Sequence, residues 1–146
     1  MSRLLASITF ASLLFAPLLL TAAEETEAET DAHKVALELA GAFANDAFKL
    51  RDGTWSGQIE TGKARLIQVN LYAGNQYWFC LGATAPATRL AVTVYDETGQ
   101  PMASEPYAEG STAAAGFSPD ASGPYFVKLE ELEGAPASFC LVYSYK

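Results

Sequence analysis

Few side chains in this 146-residue sequence are of the kinds that move protons or hold metals, and their spacing argues against most such chemistry. The single histidine, His33, would need a partner brought from elsewhere to act as a general base, and a lone histidine near a chain terminus is ordinarily solvated. A Ser-His-Asp system could use only that residue. No G-x-S-x-G, H-E-x-x-H or phosphate-cradling glycine loop occurs. Paired carboxylates can hydrolyse glycosides without histidine, and the clusters available are Asp96-Glu97 and Glu130-Glu131-Glu133. They fall at turns and strand ends, where acids chiefly keep a loop solvated. Asp46, Asp52 and Glu60 are too sparse for calcium, which takes several oxygen ligands. The expectation is a protein with no catalytic residue, no metal and no cofactor.

Cys80 and Cys140 admit two readings, a structural disulfide or a redox or metal site. Neither C-x-x-C spacing nor a nearby histidine supports the second. In an exported chain the pair is expected to join, tying the last strand to the middle of the chain and constraining the unfolded state by about 4 kcal/mol. The aromatic residues Trp55, Tyr72, Tyr77, Trp78, Phe79, Tyr95, Phe126, Tyr143 and Tyr145 also carry two readings. Large rings fill the core of a sheet, and flat aromatic rows stack on sugar rings or grip extended peptides.

Export is expected from the first residues. Met1-Ser2-Arg3 is a short basic start, Leu4 to Leu20 is almost wholly apolar, and Thr21-Ala22-Ala23 offers small residues for cleavage before the acidic run from Glu24. The alternative, a membrane anchor, is opposed by Pro17 and by the acidic exit flank. No cysteine follows the apolar run to suggest a lipid anchor. Residues 1–23 are thus expected to be a signal peptide, leaving no membrane span after cleavage and placing the protein in the periplasm or outside the cell. Loss of Arg3 would make the chain more acidic than its formal −8. Such a surface disfavours nucleic acid and anionic lipid, which bind through Lys and Arg, and prefers neutral or cationic partners.

The elements that must position these residues follow from periodicity. Residues 24–31 read as an acidic tail and residues 32–53 as a helix and linker. The helix is predicted over about 32–48, capped by Asp31, with Val35, Leu39, Phe43 and Leu50 on one stripe beside Ala36, Ala40 and Ala47. Beyond Gly53 the pattern is strand and turn. Strands are predicted at 54–60, 65–72, 76–81, 89–95, 102–107, 113–117, 125–131 and 138–145, punctuated by Gly- and Asn-containing turns. About eight short strands with close turns favour an all-β antiparallel β-sandwich over a parallel α/β sheet, with one amphipathic helix at its N-terminal side.

Three phrases carry a resemblance. Leu71 to Tyr77 reads Leu-x-Ala-Gly-x-x-Tyr, Tyr95 to Gly99 reads Tyr-Asp-x-x-Gly, and Gly123 to Val127 reads Gly-x-Tyr-x-Val. In this order they resemble the bacterial pre-peptidase C-terminal domain, over roughly residues 54–146. The resemblance implies a jelly-roll-like sandwich and an accessory or binding role. It departs from the calcium-binding members, since the early turn here is Glu60-Thr61-Gly62-Lys63-Ala64-Arg65, whose two bases would repel a cation. No peptidase domain lies upstream of the match in this sequence, so a role as a cleavable tail does not carry over.

Period-two alternation places Ile67, Val69, Leu71, Tyr77, Phe79, Leu81, Leu90, Val92, Val94, Tyr125, Val127, Leu129, Phe139, Leu141 and Tyr143 between the sheets. Trp78, Cys80, Phe126, Cys140 and Val142 then face the other way. Trp78, Phe126 and Val142 are the candidate apolar face, either for a ligand or for the helix, which is expected to lie over them and over the disulfide. The function expected is a non-enzymatic exported module that binds a protein or polysaccharide partner. The alternative is a small carboxylate-dependent hydrolase of a cell-wall or polysaccharide substrate, which turnover of bound material would distinguish.

Overall fold

The computed structural model describes residues 24–43 and 47–146. The signal peptide expected at residues 1–23 lies outside the described residues, as does the 44–46 part of the expected helix. No helix among the described residues is long and apolar enough to cross a membrane.

The helix, α1 (Glu27–Phe43), begins inside the stretch read as an acidic tail. Its start is fixed by Thr26, not by Asp31. The Thr26 hydroxyl accepts from the Glu29 N–H at 3.2 Å, and the Glu29 carboxylate accepts from the Thr26 N–H at 3.0 Å, a reciprocal capping box. Glu27 and Glu29 also sit in the first turn, where negative charge suits the helix dipole. The buried face is Ala32, Ala36, Leu39 and Ala40, with Phe43 packed at its end. Val35 is only half-buried, and Leu50 is exposed on a strand beyond the helix. Leu39, Phe43, Ala36 and Ala40 of the expected stripe thus face the sheet, while Val35 and Leu50 do not.

Among the described residues nine strands follow, one more than the eight segments expected: β1 (Lys49–Leu50), β2 (Trp55–Ile59), β3 (Arg65–Leu71), β4 (Tyr77–Ala83), β5 (Ala87–Asp96), β6 (Glu105–Glu109), β7 (Thr112–Phe117), β8 (Gly123–Gly134) and β9 (Ala137–Tyr145). The addition is the two-residue β1. All pairings are antiparallel. One sheet runs β1-β9-β4-β7-β6, with β2 lying beyond β1 along the same edge of β9; the other runs β3-β8-β5. The chain crosses between the sheets at the Glu60–Lys63 turn. Inward residues of both sheets, from Ile67, Val69 and Leu71 to Phe79, Leu81, Leu129 and Leu141, form one apolar core.

The three phrases that carry the resemblance are local locks. The Tyr77 hydroxyl accepts from the Tyr72 N–H at 2.9 Å and the Asn75 amide at 3.1 Å, closing the β3–β4 turn. The Asp96 carboxylate accepts from the Thr98 hydroxyl at 2.7 Å and from the Thr98 and Gln100 N–H groups at 2.9 Å each, and these bonds, the Thr98 hydroxyl first, hold its pKa below the usual value. The Tyr125 hydroxyl donates to the Ala121 carbonyl at 2.7 Å.

β4 and β9 are buried on both faces, by the core on one side and by α1 on the other. The helix can lie this close because the contact is made of small residues. A Cβ on Gly82 would stand 2.5 Å from the Ala36 nitrogen and 2.9 Å from the Ala32 oxygen. A second glycine, Gly116, lies under the Trp78 ring, which an added Cβ would meet at 2.9 Å. Phe43 stacks on Trp78 with centroids 4.1 Å apart, and Tyr107 meets Phe43 edge-on at 5.5 Å.

Beneath α1 the two cysteines are free and buried, so the expected disulfide is not formed. Their strands are neighbours, but the register pairs Cys80 with Val142 and Cys140 with Gly82. The thiols are diagonal, and diagonal pairs stand roughly 7–8 Å apart, outside the range that a disulfide spans without moving the backbone. Burial pushes the Cys80 thiol up to about 12. Burial also raises Cys140, against hydrogen bonds from Ser56 and Thr54 that lower it.

Neither thiol should therefore take up an alkylating reagent in the native protein, and both should do so after denaturation without reductant, as two added groups by intact mass. Gly82→Ala should cost about 2–3 kcal/mol by forcing the helix backbone off β4, read as a lower urea midpoint.

Candidate functional site: an aromatic cleft between β2 and β3

β2 and β3 are joined by the Glu60–Lys63 turn but pair with different sheets, so they diverge from it. Near the turn the Arg65 guanidinium spans them, donating from Nε to the Gln58 carbonyl at 2.9 Å. Further along they part around a cleft of about 370 Å³. Its aromatic wall is Trp55, Tyr143, Tyr145 and Tyr77, and its other wall is the β3 edge with Gln68, Val69 and Asn70, closed off by Tyr72 and Asn75. Trp55 and Tyr143 are near-parallel, with centroids 5.9 Å apart and planes 15° from parallel, and Tyr77 meets Tyr143 at 6.1 Å and 68°.

Arg51 binds the two aromatic strands together. Its N–H donates to the Tyr143 carbonyl at 2.9 Å, which fixes where the side chain leaves the backbone. Its guanidinium carbon lies 5.1 Å from the Trp55 ring centroid and 5.2 Å from that of Tyr143, within cation–π range of both. One of its N–H groups donates to the Asp52 carbonyl at 3.0 Å. Burial, the larger influence, raises the Tyr143 hydroxyl above its usual pKa, and the Arg51 charge pulls the other way. No Asp or Glu lines the cleft among the described residues, on a chain with 17 of them.

The residues singled out in the sequence are dispersed. Trp78 and Val142 lie under or beside α1 with Cys80 and Cys140. Phe126 does not join them: it belongs to β8 in the other sheet, where it lines a separate groove of about 630 Å³ with Leu66, Tyr95 and Lys128. The parity argument placed Phe126 correctly outward from the core but could not assign it to a sheet. His33 is half-buried on α1, 3.9 Å from a Glu25 oxygen.

Most residues of the acidic clusters are engaged in structure, although Glu131 Oε2 is buried without a hydrogen-bond partner among the described residues. Asp96 is held by its own turn. Glu130 pairs with Lys128 at 2.8 Å and Glu133 with Arg89 at 3.0 Å. Glu131 is buried, with one oxygen 3.4 Å from the Thr61 hydroxyl. Asp46 is outside the described residues; Glu60 pairs with Lys63. Among the described residues no group of three or more His, Cys, Asp or Glu is placed to hold a metal ion.

Of the cleft, Trp55, Tyr72, Tyr77, Tyr143 and Tyr145 stood among the aromatics noted in the sequence. Arg51, Gln68, Asn70 and Asn75 did not. The available signal was a pair of amides at outward positions of β3, alternating with the inward Ile67, Val69 and Leu71.

What these features define is a mostly β protein of antiparallel sheets with one helix and an aromatic, carboxylate-free cleft at the sheet edges. Compared with known protein families and with curated proteins, the chain matches none.

Removing the Arg51 guanidinium should leave only influences that raise Tyr143, burial first, then the neighbouring Tyr77 and Tyr145. Arg51→Met is therefore expected to move the Tyr143 titration further upward, measured by phenolate absorbance in alkaline solution.

Proposed function

We propose that this protein is a non-enzymatic, exported binding module whose aromatic cleft takes a protein or polysaccharide partner in the bacterial envelope or outside the cell. The observation that carries the reading is the composition of the cleft: stacked rings, the amides of Gln68 and Asn70, one guanidinium, and no carboxylate lining. Flat apolar faces beside hydrogen-bonding amides suit ligands that are at once planar or extended and polar. Export rests on the residue pattern of positions 1–23.

The finer architecture is proposed with it. The order β2-β9-β4-β7 opposite β3-β8-β5 is compatible with a jelly-roll-like β-sandwich, in which strands alternate between two facing sheets. This order and the three turn motifs support a likeness to the pre-peptidase C-terminal domain. The motifs act within their own turns, so the likeness speaks to architecture and leaves the ligand to the cleft.

Tyr72 is 65% exposed, so its ring can be removed with little effect on the core. Incubated with polysaccharide and peptide libraries, the protein should retain a ligand stoichiometrically and release no product. Tyr72→Ala should weaken that retention roughly tenfold, a loss of one ring contact, at unchanged melting temperature. Turnover of the bound material would instead establish the hydrolase.

A further inference from the structure

We propose that the occupant of the cleft is an extended, acidic segment of a partner polypeptide, added as a fourth strand to the free edge of β3. The proposal rests on the reading of the cleft as a ligand site and goes on to name what fills it.

The sheet edges are unequal. β6 carries Pro106 between acidic ends, Glu105 and Glu109, which blunt an edge against pairing. β5 has register shifts near Arg89, and its far end is already bonded to the 100–102 stretch through Met102 N–H to the Val94 carbonyl and Asp96 N–H to the Gln100 carbonyl. β1 is two residues long, and the Gln58 carbonyl of β2 is taken by Arg65. β3 has none of these protections. It runs seven residues in unbroken register with β8, without proline. Among the described residues, no main-chain hydrogen bond leaves it on the side away from β8.

Three residues of that free edge, Gln68, Val69 and Asn70, line the cleft. A polysaccharide could use the rings and amides but has no main chain to match the edge. A peptide strand does, and its alternate side chains would meet the aromatic wall. Charge selects the sequence. The cleft presents Arg51, with Arg65 at the closed end, and no lining acid, while the chain as a whole has 17 acidic residues against 9 basic ones. A carboxylate on the guest would find attraction here and repulsion over much of the remaining surface.

The test uses the full chain and a display library of random linear ten-residue peptides. Selected peptides should be rich in Asp and Glu, lose affinity several-fold with Arg51→Met, and slow hydrogen exchange at the β3 amides. Each is then remade with N-methyl groups on alternate amides in the two possible phases. Strand addition predicts that one phase loses affinity at least roughly tenfold while the other loses little, since only alternate guest amides face β3. Equal tolerance of both phases overturns strand addition. If no peptide is selected but polygalacturonate is retained, the cleft is a ligand site with a saccharide occupant, and this proposal alone fails. A concentration-dependent dimer with protected β3 amides and no peptide makes the occupant a second copy. If neither library nor polysaccharide binds and the chain stays monomeric, the reading of the cleft falls as well.

Discussion

The approach of α1 to β4 is the constraint on which the rest of the structure depends. β9 and β4 form the middle of the larger sheet, and their outward side chains include Cys80, Cys140 and Val142, none of which water accommodates well. Only a close apolar cover removes that surface, and closeness is set by the absence of a side chain at Gly82 opposite Ala32 and Ala36. Trp78 repeats the device one step away: the ring lies over Gly116 and becomes the platform for Phe43. With these strands immobilised on both faces, β2 and Tyr143 are held where the cleft requires them, since β2 pairs with β9 from Trp55 to Ile59.

Polar groups divide into two populations. Those in the turns are spent locally: the Tyr77 hydroxyl on its own loop, the Asp96 carboxylate on Thr98 and Gln100, the Tyr125 hydroxyl on Ala121. Their work is to fix the geometry of a turn, and it leaves little capacity for a ligand. Gln68 and Asn70, by contrast, line the cleft, and among the described residues no hydrogen bond occupies their side chains; the Arg51 guanidinium is shared between the Asp52 carbonyl and the Tyr143 hydroxyl. Unspent donors and acceptors gathered beside the exposed Tyr72 ring and the partly buried Trp55 and Tyr145 separate a surface able to recognise something from one that merely holds its fold.

The sequence disclosed the strands well because each buries one face or both, which writes period two or an apolar run into the chain. The positions of β3, β5 and β8 follow the alternation of Ile67, Val69 and Leu71, of Leu90, Val92 and Val94, and of Tyr125, Val127 and Leu129. The contact face of the helix was legible in Ala36, Leu39, Ala40 and Phe43, but its start was not, because the Thr26-to-Glu29 capping box lies within an acidic run that reads as a solvated tail. The cysteines show a different limit. Neighbouring strands could be inferred, but a register that sets Cys80 against Val142 could not, and that offset of two residues decides whether a bond forms. The cleft was half visible, as aromatics without an address, because its walls come from strands in different sheets.

The position of β9 at the centre of the larger sheet has a kinetic consequence. It is the last strand in chain order, yet β1, β2 and β4 all pair with it. A ribosome delivers these partners first, so each must wait with an unpaired edge until residues 137–145 emerge. Assembly order thus runs against synthesis order, and loop closure over nearly the whole domain comes before the central ladder can form. The larger sheet therefore closes only once residues 137–145 have emerged, and until then a holdase that covers the bare edge of β4 has a substrate.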